Sequence, residues 1–165
     1  MSAAAPVLFG DVSVGDELPR LEVDVTPTTV VLGALASRDW RPMHHDFKFA
    51  TERNGVRDIF LNTPNQAAWF ERYVTDWTGP RGRLGRMTFR MRDSVFPGDR
   101  MAFSATVTGV ERDDAGCGWV SLEVTLTATE EGGPERVATT CSLRVALPDA
   151  PDDNPWSRSG DRWNP

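Results

Sequence analysis

Residues 64–77 read PNQAAWFERYVTDW, and the fold turns on this stretch. Ala67, Ala68, Phe70, Val74 and Trp77 recur at spacings of three and four, which places them largely on one face of a helix. Pro64 suits a first helical turn because its fixed φ and missing N–H cost nothing there, and Thr78-Gly79-Pro80 ends the run. No other segment of the chain supports a helix of this length.

Downstream the period changes to two. Met87, Phe89 and Met91 alternate with polar neighbours, as do Met101, Phe103, Ala105 and Val107; so do Leu122, Val124, Leu126 and Ala128, and Val137, Thr139, Cys141, Leu143, Val145 and Leu147. Alternation over four segments predicts four strands. Pro97-Gly98-Asp99, Asp113-Asp114-Ala115-Gly116 and Glu131-Gly132-Gly133-Pro134 separate them. These turn residues predict three successive hairpins, hence a four-stranded antiparallel meander. Upstream, residues 17–25 alternate as one more strand. A long sheet that is apolar on one face must cover that face, and the helix at 64–77 is the segment available to do so. The reading is therefore α+β: a curved antiparallel sheet wrapped around one long central helix, the hot-dog arrangement, over residues 1–147. Residues 148–165, rich in Pro, Asp, Arg and Trp, form a tail without periodicity.

Bulk properties narrow the function classes. The 165 residues suit one domain. A formal charge of −6 gives no electrostatic reason to bind nucleic acid, where affinity comes from Lys and Arg displacing phosphate counterions. Arg81, Arg83, Arg86, Arg90, Arg92 and Arg100 nevertheless crowd one stretch. That is either a solvated strand face or a basic rim for a phosphorylated ligand. Cys117 and Cys141 are too few for a disulfide framework and read as small buried hydrophobes. No segment reaches the ~20 apolar residues of a membrane span, and the opening MSAAAPVLFG lacks the features of a secretory leader, so the expected location is cytoplasmic.

The chemistry-bearing residues lie between the first strand and the long helix. Thr26-Pro27-Thr28-Thr29 reads as a helix entry, and the small apolar run 30–36 as a buried helix ending near Ser37-Arg38-Asp39. Pro42 forces Arg41 out of helical geometry, placing the histidines on a loop or helix start, and 46–54 reads as a short helix closed by Gly55. The chain has two histidines, His44 and His45, flanked by Asp39 and Asp46. A histidine beside an acid is more often a solvated surface pair than a site. No second ligand cluster accompanies them, so no metal is expected. Neither a GxSxG elbow nor a GxxxxGK loop is present.

The string SRDWRPMHHDFKFA, residues 37–50, resembles the MaoC-like hydratase motif SxDxNPxHxDxxxA, matching it at Ser37, Asp39, Pro42, His44, Asp46 and Ala50. Three further strings, RD…HHD, DIFLN and ERYVTDWTGP, resemble more closely the small subunit of steroid side-chain enoyl-CoA hydratases, over about residues 15–147. The resemblance implies hydration of a trans-2-enoyl-CoA to the 3-hydroxyacyl-CoA, with Asp39 and His44 as the catalytic pair. It implies no cofactor beyond coenzyme A as part of the substrate. A single hot-dog layer leaves one sheet edge and the site mouth exposed, which predicts a dimer at least; the resemblance implies a second MaoC-like chain as partner, with a homodimer as the alternative. Ser37 is expected to fix the loop of Asp39, and Asn62 to reach the water or the thioester. Two departures stand out. Arg41 replaces the motif's Asn, and Asn62-Thr63 replaces the family's His-Gly at the start of the central helix, where a backbone amide faces the thioester oxygen. Thr63 is the candidate donor, since Pro64 has no N–H. Arg86, Arg90 and Arg92, alternating with Met87, Phe89 and Met91, are candidates for the CoA phosphates. Two other readings fit the fold: a non-catalytic partner chain, and a thioesterase, whose acid usually sits on the central helix, although Glu71 and Asp76 there both fit a solvated face.

Overall fold

The computed structural model describes residues 6–165; the first five, on which part of the leader reading rests, lie outside them. Five strands form one antiparallel sheet: β1 (Leu21–Asp24), β2 (Arg83–Met91), β3 (Asp99–Arg112), β4 (Gly118–Glu130) and β5 (Arg136–Leu147). Three helices join them: α1 (Pro27–Ala36), α2 (Phe47–Glu52) and the long α3 (Thr63–Thr78). The sheet curves around α3, giving the α+β hot-dog architecture. Among the described residues no helix is long and apolar enough to cross a membrane.

The strand order is β1-β3-β4-β5-β2, which corrects the expected meander. The β3–β4 and β4–β5 hairpins form at the expected turns. Pro97-Gly98-Asp99 is no hairpin: β2 pairs with β5 at one edge, while β1 takes the free side of β3. The connection after β2 is anchored away from β3, with the amides of Arg92 and Asp93 both donating to the Ala138 carbonyl. The chain crosses the sheet end at this point, which lets β2 and β1 curl as opposite edges around α3.

The core lies between the sheet's inner face and α3. Phe103 is fully buried and meets Phe70 edge-on at 5.3 Å and Tyr73 nearly stacked at 5.6 Å. The buried face of α3 is Gln66, Phe70, Tyr73, Val74 and Thr78, whereas Ala68 is exposed, a rotation from the expected face that brings two polar side chains inward. In β5 the expected alternation slips at its start. A register shift against β4 leaves Val137 exposed and puts Ala138 in the core. Helix α1 is not fully buried either: Val30 and Ala34 face inward, while Leu32 and Leu35 are 57% and 45% exposed. Both cysteines are free and buried.

The tail folds back on the outer face of the sheet. Trp163 packs on the fully buried Trp119 at 4.8 Å, and the Arg83 guanidinium lies 3.5 Å from the Trp163 ring centroid. Arg83 also donates to the carbonyls of Pro155 and Arg158, Arg81 to those of Asp152 and Asp153, and Arg86 to Pro165. Half of the arginine-rich stretch thus serves as anchorage for residues 148–165.

Candidate active site

Asp39 owes its place to the end of α1. Ser37 is the C-cap and Arg38 follows with φ +55, the left-handed conformation that ends many helices. The Arg38 amide donates to Leu35 O at 3.1 Å and the Asp39 amide to Ala34 O at 2.9 Å, a Schellman pair that turns the chain sharply and aims Asp39 back toward α3.

His44 is set by the next turn. Arg41 is extended, as a residue before proline must be, and Pro42–His44 form one 3-10 turn. Asp46 then caps α2 by accepting from the Phe49 amide at 3.0 Å. His44 is 5% exposed, whereas His45 is exposed. The two adjacent imidazoles therefore occupy opposite environments.

The pair comes together with Asp39 Oδ2 at 3.5 Å from His44 Nε2. On the far side of the ring, Nδ1 lies 2.7 Å from the Phe60 carbonyl oxygen. A carbonyl can only accept, so Nδ1 carries the proton, and in the neutral form of the ring Nε2 turns its lone pair toward the carboxylate. Two acceptors face each other across a gap that a donor of two hydrogen bonds, such as water, can bridge.

Asn62 is the hub of the site. It is 1% exposed and N-caps α3, its Oδ1 accepting from the Asn65 amide at 3.2 Å. Its Nδ2 donates to Asp39 Oδ2 at 3.0 Å and to Ser37 Oγ at 2.8 Å. Ser37 in turn donates to Gly33 O at 2.7 Å. Every hydrogen of the carboxamide is used, which fixes its orientation. This donation is the main cause that holds the Asp39 carboxyl below its ordinary value, against the opposing pull of partial burial. The Arg41 amide adds a weaker bond to Oδ1 at 3.3 Å. Gly33 permits this geometry, since a Cβ there would fall 1.8 Å from Asn65 Nδ2, the group that ties α3 to Thr29 O of α1.

Thr63 opens α3. Asn65 and Gln66 spend their amides on Asn62, and Pro64 has none, which leaves the Thr63 N–H without an acceptor among the described residues. Its hydroxyl is 3.3 Å from Met91 Sδ at the end of β2. Of the expected phosphate candidates, Arg86 is engaged by the tail at the far end of β2. Arg90 and Arg92 are exposed, and Arg92 lies just past the strand rather than on it. Glu71 and Asp76 face solvent, the latter 3.3 Å from Arg72.

Sequence reasoning singled out Asp39 and His44, which the structure brings to 3.5 Å from one another, and put Ser37, Asn62 and Thr63 near them. It missed that Asn62, not Ser37, holds the carboxylate, and it missed the Phe60 carbonyl. An Asn-Thr-Pro entry with Asn at the cap was a readable signal for the first. No side-chain signal exists for the second.

The family profile described as MaoC like domain matches residues 12–131. The chain is 38% identical over 97 residues to the 3-oxo-4,17-pregnadiene-20-carboxyl-CoA hydratase beta subunit of Mycobacterium tuberculosis, covering 59% of this chain and 74% of that protein. It superposes on a chain of the ChsH1-ChsH2 complex from Mycobacterium tuberculosis with TM-score 0.69 and 30% identity, covering 82% of this chain and 98% of that one. The (R)-hydratase from A. caviae involved in PHA biosynthesis shares the fold, with TM-score 0.68 and 23% identity over 83% of this chain and 98% of that one.

Proposed function

This chain belongs to the MaoC-like domain family, and on that premise we propose that it hydrates a trans-2-enoyl-CoA to the 3-hydroxyacyl-CoA. The observation that carries the reading is the pair of acceptors, Asp39 Oδ2 and His44 Nε2, set 3.5 Å apart and backed by Asn62 and Phe60. One water donates to both. Asp39, kept ionised by Asn62, takes a proton as the water oxygen bonds to the β-carbon. His44 orients the water, then takes that same proton from Asp39 at Nε2 and passes it to the α-carbon, so the elements of one water add across the double bond and both side chains return to their starting states. The negative charge developing on the thioester oxygen is met by the free amide of Thr63 at the positive end of α3. Coenzyme A enters only as part of the substrate, and Arg90 and Arg92 are the side chains proposed to meet its phosphates.

The proposed acyl group is a steroid side-chain thioester, and the proposed partner is a second MaoC-like chain. The beta-subunit relative and the complex that this chain resembles support both. So do two features of the fold: β2 is hydrogen-bonded along one edge, and Leu32, Leu35, Trp40 and Phe47 stand exposed on the elements that carry the site. Open strand edges and apolar rims are typical of surfaces a partner covers.

The test is loss of enoyl thioester absorbance by the purified chain, alone and with a co-expressed MaoC-like partner, alongside its mass in solution. Asp39→Asn and His44→Ala are each expected to lower turnover by ~10²–10⁴-fold. Near-normal turnover in either variant removes the assignment. Release of free thiol from a saturated acyl-CoA, without hydration, would replace it by a thioesterase.

A further inference from the structure

We infer that Asp99, acting through Arg57, is a positioning residue that sets the tautomer and aim of His44. Its kinetic consequence rests on the hydratase reading above; its structural consequence does not. Asp99 opens β3, and its side chain is fully buried. Oδ1 accepts from Arg57 Nη2 at 2.6 Å; Oδ2 accepts from Arg136 Nη2 at 2.7 Å and from the Phe96 amide at 2.9 Å. A carboxylate that merely closed the Pro97-Gly98 turn would need the Phe96 amide and solvent. Burying it against two guanidinium groups is costly and demands near-ideal geometry. What that geometry holds is a path to the imidazole.

The path has short steps. The Arg57 guanidinium lies over the Phe96 ring at 4.5 Å. Phe96 meets Phe60 edge-on at 6.2 Å, and Phe60 meets His44 edge-on at 4.9 Å. The Leu61 amide donates to Val95 O at 2.9 Å, pinning the same stretch from the other side. Phe60 belongs to a segment, 53–62, with no helix or strand of its own, so these contacts act together with the burial of Ile59 and Leu61 to hold its carbonyl against Nδ1. The alternative tautomer is close at hand. With the proton on Nε2, the ring would donate directly to Asp39 Oδ2, already 3.5 Å away. That contact would close the gap between the two acceptors and leave the ring no lone pair for a water. The position of the Phe60 carbonyl decides between the two forms, and the ion cluster decides the position of the carbonyl.

The chain has only two histidines, so one substitution isolates the reporter. In a His45→Gln background, the imidazole nitrogens of ¹⁵N-histidine protein are followed by NMR above the pH at which the ring protonates. The expected spectrum shows a single ring protonated at Nδ1. Arg57→Gln, at a side chain 37% exposed, leaves Asp99 its bonds to Arg136 and Phe96. It is expected to give a mixture with the Nε2 form and a kcat lower by about tenfold at unchanged KM, part of the ~10²–10⁴-fold a proton-transfer group supplies. Glu130→Gln, which removes only the charge of the outer partner of Arg57, is expected to leave the ring unchanged. Should Arg57→Gln not fold, Phe96→Leu interrupts the same path and is read in the same way. A ring that stays wholly Nδ1-protonated in the variant overturns the inference, even where hydration is confirmed. A ring that shifts in a protein with no hydratase activity upholds the inference and removes the hydratase reading instead.

Discussion

Residues 26–62 and residues 99–147 differ in how they settle their backbone and polar groups. The second region is three long strands in register, with hydrogen bonds made strand to strand and inward side chains that are almost all apolar. The first is two short helices, a 3-10 turn and irregular chain, with polar groups satisfied one at a time by caps, side chains and lone carbonyls. Regular pairing consumes donors and acceptors uniformly and leaves none to aim. Irregular chain can aim them, because each turn points a particular carboxylate or carbonyl at a particular place. The contrast predicts that the hairpins carry stability and the loops carry chemistry.

The largest test of that division lies in the sheet. Phe103→Ala removes a fully buried ring that contacts both Phe70 and Tyr73, and is expected to cost about 3–5 kcal/mol. Thermal unfolding would show the loss as a melting temperature lower by roughly 10 °C. Turnover per folded molecule should hold. A variant that stays stable but loses turnover would show that the core and the site are not separable in this way.

Asn62→Leu is the converse, striking the region of caps. It removes a helix cap, worth roughly 1 kcal/mol. It also removes the main group that keeps the Asp39 carboxyl depressed, leaving desolvation to push it upward. The sign follows. In the parent, the depressed carboxyl contributes stability at pH above its ordinary 3.8 and loses it as pH falls through the folded-state value. In the variant that contribution disappears, and the acid limb of the rate profile moves to higher pH. Turnover at neutral pH is expected to fall about tenfold, equivalent to ~1.4 kcal/mol. An acid limb that stays in place would mean that Asn62 does not govern the carboxylate.

The same contrast explains what could be read in advance. Alternation of apolar residues survives in β3 and β4 because hairpin pairing is local and its turns are chemically marked. The placement of β2 beside β5 was not legible, since strand order depends on where the connection of residues 92–98 anchors, and that anchor is the Ala138 carbonyl far along the chain. Val137 was misplaced because a bulge shifts register without a sequence mark of its own. In the site, Asp39 and His44 were legible by spacing within one short loop. The Phe60 carbonyl was not, because every residue has one. The link from Arg57 to Asp99 spans 42 positions and joins two loops that look unrelated in sequence.

The tail sharpens the comparison from a third side. Trp163 buries Trp119 and receives Arg83, yet its anchors lie on the outer face of the sheet, opposite α3. Trp163→Ala is expected to cost about 1–2 kcal/mol, combining an aromatic pair with a cation–π contact. Denaturant melts would register it with turnover unchanged. A drop in turnover would show that the outer face communicates with the site.

The smallest effect is expected at Arg38, the one described residue other than glycine with positive φ. A left-handed conformation costs a residue with a Cβ about 1–2 kcal/mol, and glycine adopts it without that cost. Glycine also gains freedom in the unfolded chain, which returns part of the difference. Arg38→Gly should therefore stabilise by ~0.5 kcal/mol net, seen as a rise in melting temperature of roughly 1–2 °C. The Schellman bonds from Arg38 and Asp39 use backbone atoms only, so they persist in the variant and Asp39 keeps its aim. Unchanged turnover with a small gain in stability would show that the strained residue serves the turn alone. A loss of turnover would show that the Arg38 side chain does something for the site that backbone geometry does not explain.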